Sequence, residues 1–514
     1  MLSLSLTSRN FSSTNLTKMT RQKFNLTVRA EFLCLLIVFA FFSFFCTYGS
    51  FDVIEHDPQG LGPAYDSMAT NLLSGSVAVD PQTIQWETFS SQGAFHMYFG
   101  PWPSLLRVPL QVAMPQLSGQ WTRLSILTAS MLSALCAFLL IKRALDKNAS
   151  LTPTVRTYWL ILTTLGFTLA SPLLFITASP AIYHEASVWG LAGSLGAMLF
   201  PNTVLGACAS GAAILSRFTF GIPYIIVHFA FLVSALRKRA RPLQLALILP
   251  ILTAMGVQGG FNYLRFGSPL TFQDLDKYSA IWDSKPYHTG IVHGNFHLSR
   301  IPDNLYAYFG PKLECFSKEF PFIHFSAHTP FIKKVFGWAE PTLPLWIGSG
   351  AILLLATVGL FTLRKNNMQN YEWWLLLGLL IQCLFVLSVW CSTQRYTLDF
   401  IPLLLFLGLK GLSHSALIVK KTTLLVFTGL VALGILITAL TSYTWTSSLY
   451  SIPTPYQKLK LSPTSPQFFW WQWPCTDALH RIKVQNQIKS WKKALHGSPE
   501  MDNNLQPIDI DYIP

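Results

Sequence analysis

The chain has 514 residues, of which 51% are hydrophobic and 12% are charged, with a net charge of +14 and a mean hydropathy of +0.39. A soluble globular protein carries about 25% charged residues, so this composition excludes that class and indicates an integral membrane protein. The basic residues form short clusters between apolar segments, a pattern that orients a chain in a bilayer and argues against nucleic-acid binding.

Residues 1–30 are rich in Ser and Thr and contain five basic residues and no acid. An organellar transit peptide has a similar composition. We favour a cytoplasmic basic tail that orients the first membrane helix by the positive-inside rule.

Eleven apolar segments predict membrane-spanning helices, since a span needs about 20 mainly apolar residues. They lie at about 31–50, 122–141, 157–178, 186–201, 203–217, 219–236, 243–262, 343–363, 371–391, 397–413 and 422–443. The fifth and sixth segments are short and nearly continuous, so the count can change by two.

The basic clusters all fall on one side of the membrane when every span is counted. They are the N-terminal tail, "IKRALDK" (141–147), "LRKRAR" (236–241), "LRKNN" (363–367) and "VKK" (419–421). Cytoplasmic loops carry this excess of Lys and Arg, which predicts a cytoplasmic N-terminus and a C-terminus on the other side of the membrane. We favour a bacterial inner membrane, in which the C-terminus would be periplasmic, and the charge pattern leaves an organellar membrane as the alternative.

The remaining segments are predicted to lie outside, including two large loops at 51–121 and 263–342 and a C-terminal tail at 444–514. In the first loop, "SMATNLLSG" and "PSLLRVPLQVAM" have the apolar spacing of amphipathic helices that lie along a membrane. The tail contains "FFWWQW", which is typical of the membrane interface. Cys315 and Cys475 fall in long polar segments. They could pair if both face an oxidising compartment, but we favour free thiols.

Acidic residues concentrate in "VIEHDPQGLGPAYD" directly after the first predicted span, although the chain has few acids. Glu55, Asp57 and Asp66 stand there beside His56. A carboxylate at a membrane surface can act as a general base toward a hydroxyl or amine. An ordinary solvated loop is the alternative interpretation.

Further charged residues fall at the outer ends of later predicted spans. They are His184 and Glu185 in "YHEA", Arg217 in "LSRFTFGIP", Asn262 and Arg265 in "NYLRFGSPL", and Arg395 and Asp399 in "RYTLDFIP". Ionisable residues at such positions either anchor a helix at the interface or line a substrate path. Arginine suits a phosphate, because its planar fork donates paired hydrogen bonds.

These motifs carry a resemblance to a known class of enzymes. "YDSMATNLLSG" and "HMYFGPWPSLLRVPL", followed by "YHEA", "NYLRFGSPL" and "RYTLDFIP", are similar to motifs of GT-C membrane glycosyltransferases. The chain looks most like the bacterial branch related to protein mannosyltransferases and aminoarabinose transferases, over about residues 30–443. The resemblance implies an all-α polytopic bundle of about 11 transmembrane helices, with amphipathic helices in the first outer loop.

The resemblance also implies an activity and a site. Such enzymes move a sugar from a polyprenyl-phosphate carrier to an acceptor (a glycan, lipid or protein) at the outer face. The base would be Asp57 or Glu55, with Asp57 favoured, although His56 separates two acids that are adjacent in the family. The implied substrate-binding set is Asp66, His96, Tyr98, His184, Glu185, Arg217, Asn262, Arg265 and Arg395. Within it, Arg395 and in second place Arg265 would bind the lipid phosphate.

No cofactor or metal is expected. A zinc site on His293 and His297 is disfavoured, because Gly294 and Asn295 between them weaken a helix. By analogy with oligosaccharyltransferases, a divalent ion between Asp57 and Glu185 stays open.

Three other functions stay open at this stage. A transporter or flippase of lipid-linked sugars or small solutes would place charges near mid-membrane and show repeated halves. An O-antigen polymerase or ligase would use an arginine of a late outer loop, such as Arg300. A structural protein would use none of these groups.

Overall fold

The structure, a computed structural model, describes residues 13–54, 61–84, 87–91, 93–237, 247–274, 293–316, 338–363 and 368–450, with single positions between 318 and 326. The predicted bases Glu55 and Asp57, with His56, lie outside the described residues. So do Cys475 and the tail from residue 451.

The described chain is mostly helical. Its helices are α1 (Ser13–Cys46), α2 (Pro63–Leu73), α3 (Pro81–Ile84), α4 (Trp102–Ala113), α5 (Thr122–Asp146), α6 (Pro153–Thr168), α7 (Pro172–Ala178), α8 (Ile182–Leu199), α9 (Val204–Ser216), α10 (Phe218–Arg237), α11 (Leu249–Phe266), α12 (Ile301–Phe309), α13 (Leu345–Gly348), α14 (Gly350–Leu363), α15 (Asn370–Ser388), α16 (Ile401–His414) and α17 (Lys421–Tyr450). Short 3₁₀ turns include Gln394–Phe400, which leads into α16.

Four short strands form two small sheets in the outer loops. β1 (Phe89–Ser91) pairs antiparallel with β2 (Ala94–His96), with Phe89 opposite His96. β3 (Trp338–Ala339) pairs parallel with β4 (Cys391–Ser392).

Five helices in the described residues are long and apolar enough to cross a membrane: Val28–Cys46, Thr122–Asp146, Asn370–Ser388, Gln394–His414 and Lys421–Trp445. The bent pair α6 and α7 gives a sixth if it counts as one span. The predicted all-α polytopic class is therefore confirmed. The predicted number of eleven spans is not confirmed, although a helix or helix pair covers each predicted segment.

The predicted span at 157–178 is broken in the structure. α6 and α7 meet at an angle of 51°. Pro172 lacks the N–H that would continue the ladder of α6, and the Ser171 hydroxyl caps the new helix by accepting from the Leu173 N–H at 3.1 Å. The chain therefore changes direction between α6 and α7, and α7 still begins with a capped first turn.

The first outer loop contains the two helices that its apolar spacing predicts, α2 and α4. They pack on each other and on α8. Tyr65 and Met68 of α2 join Ile182 and Tyr183 of α8 and Phe261 of α11 in one apolar cluster. This loop is thus built into the helical body at the start of α8.

Helices α14 and α16 approach each other through glycines. A Cβ atom on Gly359 would stand 1.8 Å from the carbonyl oxygen of Leu407. Gly411 lies opposite, where a Cβ atom would stand 3.1 Å from the Gly359 nitrogen. Small residues that let two backbones touch are a usual device of membrane helix pairs.

The mutation Gly359→Ala should therefore destabilise the protein by about 1–3 kcal/mol, because the added methyl group forces α14 and α16 apart. Gly429→Ala in α17 is the matched control, since nothing lies within 4 Å of its Cβ position. The measurement is the thermal unfolding midpoint of each variant in detergent. Equal midpoints for the two variants would contradict this packing.

Candidate functional site

The first two turns of α8 carry a group of buried polar side chains. Tyr183, Glu185 and Ser187 each contact a different group of charged residues, which the following paragraphs describe. His184 lies between them and is buried, with its Nδ1 hydrogen bonded to the Ser179 carbonyl oxygen. These four side chains, all near the start of α8, thus contact residues from distant parts of the chain.

Arg107 of α4 lies between two carboxylates. Its guanidinium donates to Asp66 Oδ2 at 2.7 Å and to both oxygens of Glu185 at 2.8 and 2.7 Å. Gln111 donates to the other Asp66 oxygen at 2.9 Å, and the Ser125 hydroxyl donates to Glu185 at 2.6 Å. Asp66, Arg107 and Glu185 are at most 2% exposed, so this is a buried ion network.

The network joins three segments of the chain. Asp66 belongs to α2, Arg107 to α4 and Glu185 to α8. Arg107 also donates to the Gly62 carbonyl oxygen at 3.0 Å, one residue after the start of the described segment at Leu61. Burial raises the pKa of the Asp66 carboxyl, and the charge of Arg107 opposes that rise. Burial therefore disfavours the ionised form of Asp66, and the arginine favours it.

Sequence reasoning missed Arg107, although it quoted the motif that contains it. The signal was present, because Ser104, Arg107 and Gln111 lie three and four residues apart in α4 and so share one face. All three are buried. A polar face that points inward on an amphipathic helix predicts buried partners.

Two other arginines flank one aromatic ring. The guanidinium carbons of Arg217 and Arg395 lie 4.8 and 5.4 Å from the centre of the Tyr396 ring. Arg217 pairs with Asp399 at 2.9 Å and donates to the Ser187 hydroxyl at 2.6 Å. Each arginine side chain is 16% exposed. The predicted residues Arg217 and Arg395 thus lie together, next to the start of α8.

Arg395 also contacts a group of tyrosines and glutamates. Its guanidinium carbon lies 4.4 Å from the centre of the Tyr183 ring, and its Nη1 lies 3.4 Å from Glu340 Oε1. The Tyr183 hydroxyl donates to Glu87 at 2.7 Å. Burial raises the pKa of Glu340, and Arg395 opposes that rise. Glu87 and Glu340 were missed from the sequence, because neither stands in a motif or near Arg395 in the chain.

The other predicted residues lie deeper. Arg265 is fully buried and donates to the Phe99 carbonyl oxygen at 2.9 Å and to the Met68 sulfur at 3.2 Å. Asn262 donates to the Pro269 carbonyl oxygen at 3.1 Å. These contacts hold the end of α11 against the first outer loop.

His96 and Tyr98 lie in the same part of the loop. His96 ends β2 and is buried, and Tyr98 packs edge-on against Phe89, with ring centres 5.5 Å apart. The Tyr98 ring centre lies 4.1 Å from that of Phe99, whose ring centre in turn lies 5.3 Å from that of Tyr183.

No group of three or more His, Cys, Asp or Glu side chains that could hold a metal occurs among the described residues. Glu185 accepts hydrogen bonds from Arg107 on both oxygens, which leaves this carboxylate poorly suited to bind an ion with Asp57. The rings of His293 and His297 lie 5.6 Å apart. Cys315 is buried beside the Thr342 carbonyl oxygen, and its candidate partner Cys475 lies outside the described residues.

Comparison with known proteins gives limited similarities. Residues 348–422 match the family described as the Lnb transmembrane domain. No curated protein matches the sequence. Among solved structures, ArnT from Cupriavidus metallidurans bound to undecaprenyl phosphate aligns over 93% of this chain and 73% of its own, at 13% identity and a TM-score of 0.41.

The oligosaccharyltransferase of Archaeoglobus fulgidus, tethered to an acceptor peptide, aligns over 85% of this chain and 59% of its own. The identity is 13% and the TM-score is 0.41. TM-scores of this size assign neither a fold nor a function, so the function must be argued from the side chains of the site.

The mutation Arg107→Met should cost about 3–5 kcal/mol of stability, because it leaves the carboxylates of Asp66 and Glu185 buried without their cation. Adding Asp66→Asn and Glu185→Gln should restore part of that loss, since the buried charges are then removed. The thermal unfolding midpoint measures both effects. Arg156→Met is the control, because Arg156 pairs with Asp146 on an exposed surface. If Arg107→Met were as stable as the control, the network would not hold the loop.

Proposed function

We propose that the protein is a glycosyltransferase that moves a sugar from a polyprenyl-phosphate carrier to an acceptor at the outer face of the membrane. The observation that carries this proposal is the pair of arginine side chains, Arg217 and Arg395, which are each 16% exposed and lie beside the Tyr396 ring. It agrees with the GT-C resemblance of the motifs that supply these residues. The acceptor and the sugar are left open.

Arg395 and Arg217 are assigned to the lipid phosphate in this proposal. Guanidinium groups bind phosphate oxygens through paired hydrogen bonds, and a partly exposed side chain can exchange a protein contact for a ligand. Arg265 is less suited, since its side chain is fully buried and already donates to Phe99 and Met68. We therefore give Arg265 a structural role and place the phosphate at Arg395.

Asp57 is assigned as the general base, with Glu55 as the alternative. Both lie outside the described residues, between Ile54 and Leu61. Leu61 is buried, and the next residue, Gly62, accepts a hydrogen bond from Arg107. Leu61 and Ile182 of α8 belong to one apolar cluster. The described chain that follows the two acids therefore packs at the start of α8, and this supports the assignment.

The proposed step needs no nucleotide. The acceptor hydroxyl oxygen forms a bond to the anomeric carbon while its proton passes to the carboxylate of Asp57 or Glu55. The bond between the anomeric carbon and the phosphate oxygen breaks, and that oxygen keeps the electron pair. The guanidinium groups of Arg395 and Arg217 stabilise the charge that develops on the departing phosphate.

The proposed setting is a bacterial inner membrane with the N-terminus cytoplasmic and the C-terminus periplasmic. The helices that are long and apolar enough to span a bilayer support a multi-pass membrane protein. In this setting the prenyl chain stays in lipid while the acceptor arrives from water. Membrane lipid is thus a partner of the protein, and nucleic acid is not.

The first test of the proposal replaces the two acids. Asp57→Asn should lower sugar transfer by about 10²–10⁴-fold, because general base catalysis contributes that much, while Glu55→Gln should retain most activity. The assay is transfer from radiolabelled polyprenyl-phosphate sugars in membranes at equal expression. Asp80→Asn, an exposed acid in the same loop, is the control. Full activity in both variants would remove the acidic segment from the mechanism.

A second test addresses the phosphate. Arg395→Lys keeps the charge and removes the planar fork, so kcat/KM for the lipid donor should fall by about tenfold or more. Steady-state kinetics with purified protein measures this change, and Arg156→Lys should not alter it. If Arg265→Lys lost transfer while Arg395→Lys matched wild type, the phosphate would belong at Arg265 instead.

A further inference from the structure

Glu340 is held beside Arg395 by the backbone. β3 and β4 pair Trp338 with Cys391 and Ala339 with Ser392. The next residue, Glu340, continues this pairing, since its N–H donates to the Ser392 carbonyl oxygen at 2.9 Å. Two segments more than fifty residues apart are thus fixed so that a carboxylate faces the arginine.

The contact between Glu340 and Arg395 is looser than the neighbouring ion pair. Arg395 lies 3.4 Å from the Glu340 carboxylate, and the two side chains are 16% and 13% exposed. Asp399 pairs with Arg217 at 2.9 Å, is fully buried and also accepts from the Thr219 hydroxyl at 2.6 Å. Among the described residues, Arg395 is the only side chain that donates to the Glu340 carboxylate. The Arg395–Glu340 contact is therefore the longer and more exposed of the two ion pairs.

The charges around Tyr396 balance. Arg217 and Arg395 supply two positive charges, and Asp399 and Glu340 supply two negative charges. Glu87 adds a further carboxyl group behind the Tyr183 ring. Without the carboxylate of Glu340, the site would bind an anion more tightly. The presence of Glu340 beside Arg395 therefore calls for an explanation in terms of function.

The proposed reaction changes the charge of the lipid phosphate. The donor is a phosphodiester with one negative charge. The product is a phosphomonoester, whose second ionisation has a pKa of about 6, so it carries close to two negative charges above neutral pH. Coulomb energy is proportional to charge, so a fixed carboxylate repels the product about twice as strongly as the donor.

We propose that Glu340 selects the singly charged diester over the doubly charged monoester at Arg395, and so favours release of the lipid phosphate after transfer. This inference rests on the proposed function. Glu340 touches neither the sugar nor the acceptor in this account. It acts by weakening the hold of Arg395 on the product.

The test compares two short lipid phosphates that differ in charge, farnesyl phosphate and its methyl diester. Their dissociation constants are measured by titration calorimetry with the full chain in detergent at pH 8, where the monoester carries close to two negative charges. The mutation Glu340→Gln should tighten binding of the monoester by about tenfold and of the diester by about threefold, because the energy scales with the ligand charge.

Glu372→Gln is the matched control. Glu372 pairs with Lys410 at 2.5 Å, with side-chain exposures of 11% and 14% that resemble those of Glu340 and Arg395. It lies at the opposite end of α15 from Ser388, about 25 Å away by helix rise. This variant should leave both dissociation constants unchanged.

Two results would overturn the inference. If wild type binds both esters but Glu340→Gln tightens them equally or not at all, Glu340 does not discriminate their charge, and the proposed transferase function still stands. If wild type binds neither ester, the proposed function fails together with the inference. If the fold-increase in monoester affinity is close to the square of the fold-increase in diester affinity, the result supports both the inference about Glu340 and the proposed function.

Discussion

A buried arginine, Arg107, lies between two carboxylates, and the arrangement of the outer region depends on this contact. Asp66 comes from the first outer loop and Glu185 from the start of α8, so the ion network ties the loop to the helical body. Removing charges from water is costly, and the cost is offset only when each polar atom finds a partner. Gln111 and Ser125 complete the hydrogen bonds of the two acids. The loop helices therefore have one preferred position on α8.

The same turn of α8 places the groups that we assign to the lipid phosphate. Ser187 accepts a hydrogen bond from Arg217, and the Tyr183 ring lies against Arg395. A shift of α8 would thus move both arginines together with the loop that leads to the acidic segment. Because the start of α8 positions both the loop and the two arginines, it carries many polar side chains in a chain that has few charged residues. In our proposal, the balance of charge around Tyr396 sets which phosphate this site holds.

The sequence predicted the helices well, because apolar length and amphipathic spacing depend on near neighbours. Helices α2 and α4 and the helix covering each predicted span follow from such patterns. The number of membrane spans could not be predicted from these patterns. Helices α9 and α14 have only 13 and 14 residues, and α8 begins with polar side chains. The break between α6 and α7 at Ser171 was also missed, although Pro172 marks it.

The site was predicted only in part, for a physical reason. His184, Glu185, Arg217 and Arg395 could be grouped, because the predicted topology places them on one side of the membrane. Their partners could not be found, since Arg107 lies 78 residues from Glu185 and Glu340 lies 55 residues from Arg395. Pairing over such distances depends on how helices pack, which local spacing does not report.

The most direct measurement of the central claim is donor turnover by purified wild-type protein in lipid vesicles. A polyprenyl-phosphate sugar is supplied at the face that corresponds to the start of α8, and mass spectrometry follows the lipid. The account predicts that free polyprenyl phosphate accumulates only when an acceptor fraction is present, and that sugar leaves the lipid in equal amount. If the intact sugar lipid instead moved across the membrane with no cleavage, the protein would be a carrier of this lipid and the transferase account would be wrong.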